Sequence, residues 1–158
     1  MNRPPALGLA IAVAILILDQ LSKWWIVADV LNPLRIIEIT PFFNIVLVRN
    51  LGASFGLLGG AGDWGPWVLT AFAVAIATGL GIWLARTNTV WVATALGLVI
   101  GGAAGNVTDR LRFGAVIDFL DFHLGDYHWP AFNLADSAIT VGVAILLADA
   151  LIGRRRAN

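Results

Sequence analysis

Four stretches of this chain are long and apolar enough to cross a lipid bilayer, and nothing else in the sequence constrains the fold as much. A spanning helix needs about 20 mostly apolar residues. Runs of that kind cover about 7–27, 67–85, 90–106 and 135–152. The third is short by apolar count, but its Gly and Ala residues suit a helix packed inside a bundle. Composition agrees. Of the 158 residues, 59% are hydrophobic and 13% charged, with a mean hydropathy of +0.83. A soluble domain is nearer 45–50% apolar and about 25% charged, and a globule this small cannot bury the excess. Ten basic residues balance ten acidic ones, which argues against a nucleic-acid partner. With no cysteine there is no disulfide, thiolate nucleophile, zinc–thiolate site or lipidated cysteine, and only two histidines argue against a His-rich metal site.

The first apolar run follows Arg3, as in a secretory signal. It runs past Asp19, Gln20 and Lys23 to Trp24 and Trp25, however, with no small-residue cleavage site, so it reads as a retained helix. Basic residues near helix ends mark the cytoplasmic side. Arg3, Arg86 and Arg154–Arg156 fall on one side of an even number of crossings, so both termini are expected in the cytoplasm. The segments between helices 1 and 2 and between helices 3 and 4 then lie outside. Within them, about 35–62 and 112–124 are β-rich. Arg35–Asn50 reads as two short strands broken at Pro41, Gly52–Gly62 as turns, and Phe113–Leu124 as a further strand. The expected fold is a single membrane domain over 1–158, all-α with a small β element. It has four transmembrane helices and a small sheet on the outer, periplasmic face.

The polar residues within this frame gather at one level. Asp19 lies about 12 residues into helix 1, about 18 Å along it, so Asp19 and Lys23 reach the outer half of the bilayer. Asn50, Asn106, Asp109, Arg110, Asp118, Asn133 and Asp136 reach the same level from four other parts of the chain. Ionisable groups at membrane depth are costly and face a bundle interior or water-filled cavity. Each also has a simpler reading. Asp19 and Lys23 form an i,i+4 pair. Gly97, Gly101 and Gly105 make a small-residue stripe for helix packing. Asn133 and Asp136 resemble a helix N-cap with an acid in the first turn. Asp109 beside Arg110 reads as a surface pair, and His123 and His128 as interfacial residues.

No G-x-S-x-G elbow, HExxH or phosphate-cradling loop occurs. Nine of the ten acids are aspartates, five of them (Asp109, Asp118, Asp121, Asp126, Asp136) at or beyond the outer ends of helices 3 and 4. Two aspartates suffice for peptide hydrolysis. Carboxyls that close share one proton, the ionised member activates water, and the protonated one donates to the scissile carbonyl. The residues alone leave open which two aspartates meet.

Five segments narrow this. They are Asp19–Lys23 (DQLSK), Asn50–Gly56 (NLGASFG), Gly101–Arg110 (GGAAGNVTDR), Gly114–Phe119 (GAVIDF) and Phe132–Ser137 (FNLADS). In this order on a four-helix chain, they resemble the lipoprotein signal peptidase (signal peptidase II) family of bacterial aspartic membrane proteases. Ser54, where the family often has Ala, is a small departure. The resemblance implies a catalytic pair Asp118 and Asp136. It implies substrate-binding or supporting roles for Asp19, Lys23, Asn50, Gly52, Asn106, Arg110 and Asn133, with no metal and no cofactor. The implied reaction removes the signal peptide from a diacylglyceryl-modified prolipoprotein, cutting before the lipidated cysteine. The setting is the bacterial inner membrane, among membrane lipids and as a monomer. Two rivals remain: a small proton-coupled membrane carrier, which would place its polar groups near the midplane, and a non-enzymatic membrane scaffold, which would leave the outer aspartates unexplained.

Overall fold

The computed structural model describes residues 3–52 and 64–157. The Gly-rich turn expected over Gly52–Gly62 therefore lies, beyond Gly52, outside the described residues. Four helices carry the chain: α1 (Arg3–Trp25, continued by a π turn, Ile26–Val30), α2 (Gly65–Arg86), α3 (Val90–Phe113) and α4 (Leu134–Ala157). All four are long and apolar enough to span a membrane, and large apolar side chains such as Leu18, Phe72, Val143 and Leu147 are exposed along them, as lipid-facing positions require. This is a multi-pass membrane protein.

Helix α3 is the centre of the bundle. Over half of its apolar window is buried, against under a fifth in each of the others. Its small residues make this possible. A Cβ added at Gly97 would collide with the Gly8 carbonyl of α1, one at Gly101 with Ala12, and one at Gly102 with the Ala135 carbonyl of α4. The small-residue stripe is thus a packing device, and it brings α1 and α4 against α3 at backbone distance. A Gly97→Ala variant should lose about 1–3 kcal/mol of stability by overpacking. Gly79→Ala, facing open space on α2, should be neutral or mildly stabilising. Thermal unfolding of the two in one detergent checks this; Gly97→Ala melting at or above the wild type would refute the packing role.

Helix α3 does not stop near residue 106, as its sequence suggests, but runs to Phe113. Its polar residues there find buried partners, so they do not terminate it. It ends at Gly114, which takes the left-handed conformation (φ 69°) and donates its N–H to the Arg110 carbonyl at 3.0 Å. Phe113 accordingly belongs to the helix and not to the strand expected from it. Helix α1 starts earlier than its apolar run because Pro4 and Pro5 are tolerated in a first turn. Helix α4 continues past residue 152 into the arginine run.

The strands are β1 (Ile37–Thr40), β2 (Phe43–Asn50), β3 (Val116–Leu124) and β4 (Tyr127–His128), forming one antiparallel sheet in that order. The two strands expected between 35 and 50 are present, with the break at Pro41. The sheet's own core joins Phe119 of β3 to Ile26 and Leu31 at the end of α1. The chain then returns to β3 once more: Phe132 pairs with Leu120, and its carbonyl accepts the N–H groups of Phe119 and Leu120 at 3.1 and 2.9 Å. That clasp fixes where α4 begins, next to β3.

Candidate active site

The sheet end of the bundle collects the C-terminal turns of α1 and α3, the N-terminus of α4 and the end of β2. Each contributes polar side chains to one buried network. Lys23 is 4% exposed, and all three of its ammonium protons are engaged. It reaches Asp19 Oδ2 at 2.8 Å, Asp109 Oδ2 at 2.7 Å and Asn106 Oδ1 at 3.2 Å. The i,i+4 pairing expected for Asp19 and Lys23 is formed, yet it is only one arm of a link between two helices. Asp109 is not the surface partner of Arg110 that its neighbourhood suggests. It is buried, paired with Lys23, and accepts further hydrogen bonds from Gln20 Nε2 at 2.8 Å and the Ile117 N–H at 3.1 Å. Its place was readable in part, since Asn106 and Asp109 lie three apart on one face of α3. Gln20 was not singled out. It donates to Asp109, Asp19 and the Gly105 carbonyl, crossing from α1 to α3. Gly105 is small for a local reason, because a Cβ there would sit 2.5 Å from Asp19 Oδ2.

The same network builds the start of α4. The first N–H groups of a helix lack internal partners. Here Asp19 Oδ1 accepts from the Ala135 N–H at 3.0 Å, and Asn133 Oδ1 from the Asp136 N–H at 3.0 Å. Asp136 Oδ2 in turn accepts from the Asn133 N–H at 3.3 Å, completing a reciprocal capping box. The capping expected of Asn133 and Asp136 is formed, and it does not use up either residue. Asn133 also donates through Nδ2 to Asp118 Oδ1 at 2.7 Å. Asn106 donates to Asp136 Oδ1 at 2.7 Å. Asn50 donates to Asp118 Oδ2 at 3.0 Å while its own Oδ1 accepts from the Gly52 N–H.

Asp118 and Asp136 are therefore tied to one another through Asn133, and each carboxylate is held by an amide donor from a different element. Asp118 is 1% exposed. Burial pushes its carboxyl up from the usual carboxylate range to about 6; the Asn50 and Asn133 donors pull against that, and the Asp136 charge adds to it. Arg110 has Asp136, Asp118 and Asp109 as its charged neighbours, and its buried Nε has no hydrogen-bond partner among the described residues. A cleft of about 580 Å³ opens beside Asp136, walled by Phe132, Ile139 and Thr140.

Two of the other outer aspartates have partners of their own, Asp109 with Lys23 and Asp121 on the sheet. Asp121 lies on the sheet, where Asn44 donates to it at 3.0 Å and His128 approaches at 2.9 Å. Burial alone would raise its carboxyl; these partners outweigh it and leave it below the usual value. His128 stacks on His123, their rings 4.8 Å apart, in the β3–β4 hairpin and away from the paired aspartates.

Comparison with known proteins gives the family and the fold. The family model described as signal peptidase (SPase) II matches residues 11–152. The chain belongs to the signal peptidase II family. It is 53% identical over 144 residues to the lipoprotein signal peptidase of Paraburkholderia phymatum, covering 90% of this chain and 86% of that one. It is 47% identical over 156 residues to that of Rhizorhabdus wittichii, covering 98% and 90%. Among solved structures, a bacterial membrane enzyme determined by the in meso method at 2.3 Å superposes with a TM-score of 0.82 at 29% identity, covering 96% of this chain and 91% of that one. A second, determined the same way at 1.9 Å, gives 0.76 at 31%, covering 91% and 92%. Membership makes the chain a membrane protease.

Proposed function

We propose that this chain cleaves the signal peptide from diacylglyceryl-modified prolipoproteins immediately before the lipidated cysteine, with Asp118 and Asp136 as its catalytic pair. The observation that carries this reading is the double tie of the two carboxylates to Asn133, reinforced by Asn106 on Asp136 and Asn50 on Asp118. Two carboxyls tied to one Asn133, with burial and the charge of Asp136 raising the proton affinity of Asp118, share one proton. Asp118, with its raised affinity, keeps it; Asp136 is the base. Asp136 takes a proton from water, the oxygen attacks the scissile carbonyl carbon, and Asp118 donates its proton to the carbonyl oxygen. Collapse of the tetrahedral diol returns a proton to the leaving amine and breaks the C–N bond. The products are a signal peptide with a new carboxyl end and a lipoprotein with a free amine on its cysteine. Arg110, through its unpartnered Nε, is a donor to the substrate backbone. Lys23, Asp19 and Asn106 hold the pair in place.

Depth supports the substrate class. The pair lies at the ends of spanning helices, where a lipid-anchored cysteine presents its peptide bond, and the apolar cleft beside Asp136 suits acyl chains entering from the side. With Arg3, Arg86 and the C-terminal arginines in the cytoplasm, the pair lies at the periplasmic face of the inner membrane. The monomer is the working unit among membrane lipids, with no metal or cofactor.

The test is cleavage by the purified chain in detergent of a diacylglyceryl-modified prolipoprotein beside its unlipidated precursor. Cleavage confined to the lipidated form is expected. Equal cleavage of both would remove the lipid from the recognition element. The pair also has a pH signature. Catalysis needs one proton on it, so kcat/KM should fall as pH rises past about 6, where Asp118 ionises. The Asn50 donor favours the ionised form, and Asn50→Ala should move that limb to higher pH while lowering kcat/KM. A limb that stays in place would mean that Asn50 does not act through Asp118.

A further inference from the structure

Three arginines at the sheet end have different surroundings. Arg110 lies among carboxylates. Arg49 and Arg112 are exposed, and neither forms a salt bridge among the described residues. Arg112 makes one long hydrogen bond, donated to Gln20 Oε1 at 3.4 Å, and stacks over the Phe113 ring at 5.0 Å. Both arginines line a cavity of about 160 Å³ between the end of α1, the end of α3 and β2. Side chains alternate along a strand. Asn50 of β2 points to Asp118, and Arg49, one residue earlier, points to the opposite face and into this cavity. No residue lines both this cavity and the cleft beside Asp136.

The cavity joins two chemistries. Its polar side carries Arg49, Arg112 and Gln20 together with the Lys23–Asp109 ion pair, whose charges cancel, and its apolar side carries Trp24, Val27 and Phe113. Trp24 is exposed near the end of a spanning helix, the headgroup level of a bilayer. From Trp24 toward the middle of α1, Leu21 and Ile17 continue the same helix face and are exposed. With Asp109 held by Lys23, the two guanidiniums have no acid of their own among the described residues, and above an apolar track they match a phosphate with acyl chains attached.

We propose that this cavity binds the headgroup of an anionic phospholipid, at a site separate from the catalytic cleft. Arg49 and Arg112 hold the phosphodiester, and the chains run along Trp24, Leu21 and Ile17.

The test is native mass spectrometry of the purified full chain in non-ionic detergent. It is titrated with phosphatidylglycerol and with phosphatidylcholine of the same acyl chains. The wild type should prefer phosphatidylglycerol by at least about tenfold. Arg49→Gln and Arg112→Gln should each lose about fivefold, and the double variant should bind both lipids alike. Arg86→Gln, at the other end of the bundle, should keep the preference, as should the double Arg→Lys variant, which retains both charges. Both variant arginines are exposed, and an unchanged melting temperature separates lost binding from lost folding. Glycerol phosphate, a headgroup without chains, should not displace the lipid at equal concentration. An undiminished preference in the Arg→Gln double variant, equal binding of the two lipids by the wild type, or displacement by glycerol phosphate would each overturn the proposal.

Discussion

Asp118→Asn and Asp136→Asn should each lower cleavage of the lipidated substrate by about 10⁴-fold, the upper range for removing an acid–base group. Each change removes a different half of the same proton transfer: the donor to the carbonyl oxygen in one case, the acceptor from water in the other. Because the two act as a unit, the double variant should be no slower than either single one. Asn is close in shape to Asp but not neutral here. Both Asp118 oxygens accept from amides, Asn133 at 2.7 Å and Asn50 at 3.0 Å, and an amide at position 118 would turn its own NH₂ toward one of them. That should cost about 1–3 kcal/mol in stability. At Asp136 the long contact with the Asn133 N–H, 3.3 Å, yields first, so less is lost. Melting temperatures run beside the cleavage assay separate the two effects. A well-folded variant of either kind retaining cleavage within tenfold of wild type would remove that residue from the catalytic pair.

The largest stability effect should come from Lys23→Met. The change keeps most of the side chain's volume and deletes one charge. It leaves two carboxylates, Asp19 and Asp109, at 0% and 1% exposure without their cation. Breaking a buried ion pair by removing one partner costs about 3–5 kcal/mol. Asn106 also loses the ammonium that steadies its Oδ1, so Asp136 loses a fixed donor, and cleavage should fall even in molecules that remain folded. Replacing all three charges together, Lys23→Met with Asp19→Asn and Asp109→Asn, should recover part of the stability, since a network removed as a whole leaves no orphaned charge. Thermal unfolding in detergent reads both variants. A Lys23→Met protein as stable as wild type would mean that the carboxylates find other compensation.

Much of the fold was legible because bilayers impose simple rules. Four apolar runs require four helices, since backbone groups in lipid must be satisfied within the segment. The glycine stripe of α3 announced close packing, and the Val/Ile/Phe-rich stretch around Pro41 announced two strands. The end of α3 was misplaced because apolar count stops at Gly105, whereas a helix stops where its carbonyls find a cap, here Gly114. Asp109 was misread because its sequence neighbour is Arg110. Helical neighbours lie three and four residues away, and its cation comes from another helix, 86 positions earlier in the chain.

The sequence by itself determined that this chain spans a membrane four times, that its polar residues share one level, and, through its motifs, the family to which it belongs. Local spacing could show that Asn133 and Asp136 form a cap and that Asp19 and Lys23 form a pair. Only the tertiary structure decided that these are parts of one network. The physical reason is that one polar side chain can satisfy several partners at once, and those partners come from separate elements. Asn133 caps α4 and also reaches β3; Lys23 closes a turn of α1 and also reaches α3. The close approach of α1, α3 and α4 and the Phe132 clasp on β3 bring those elements within hydrogen-bonding distance.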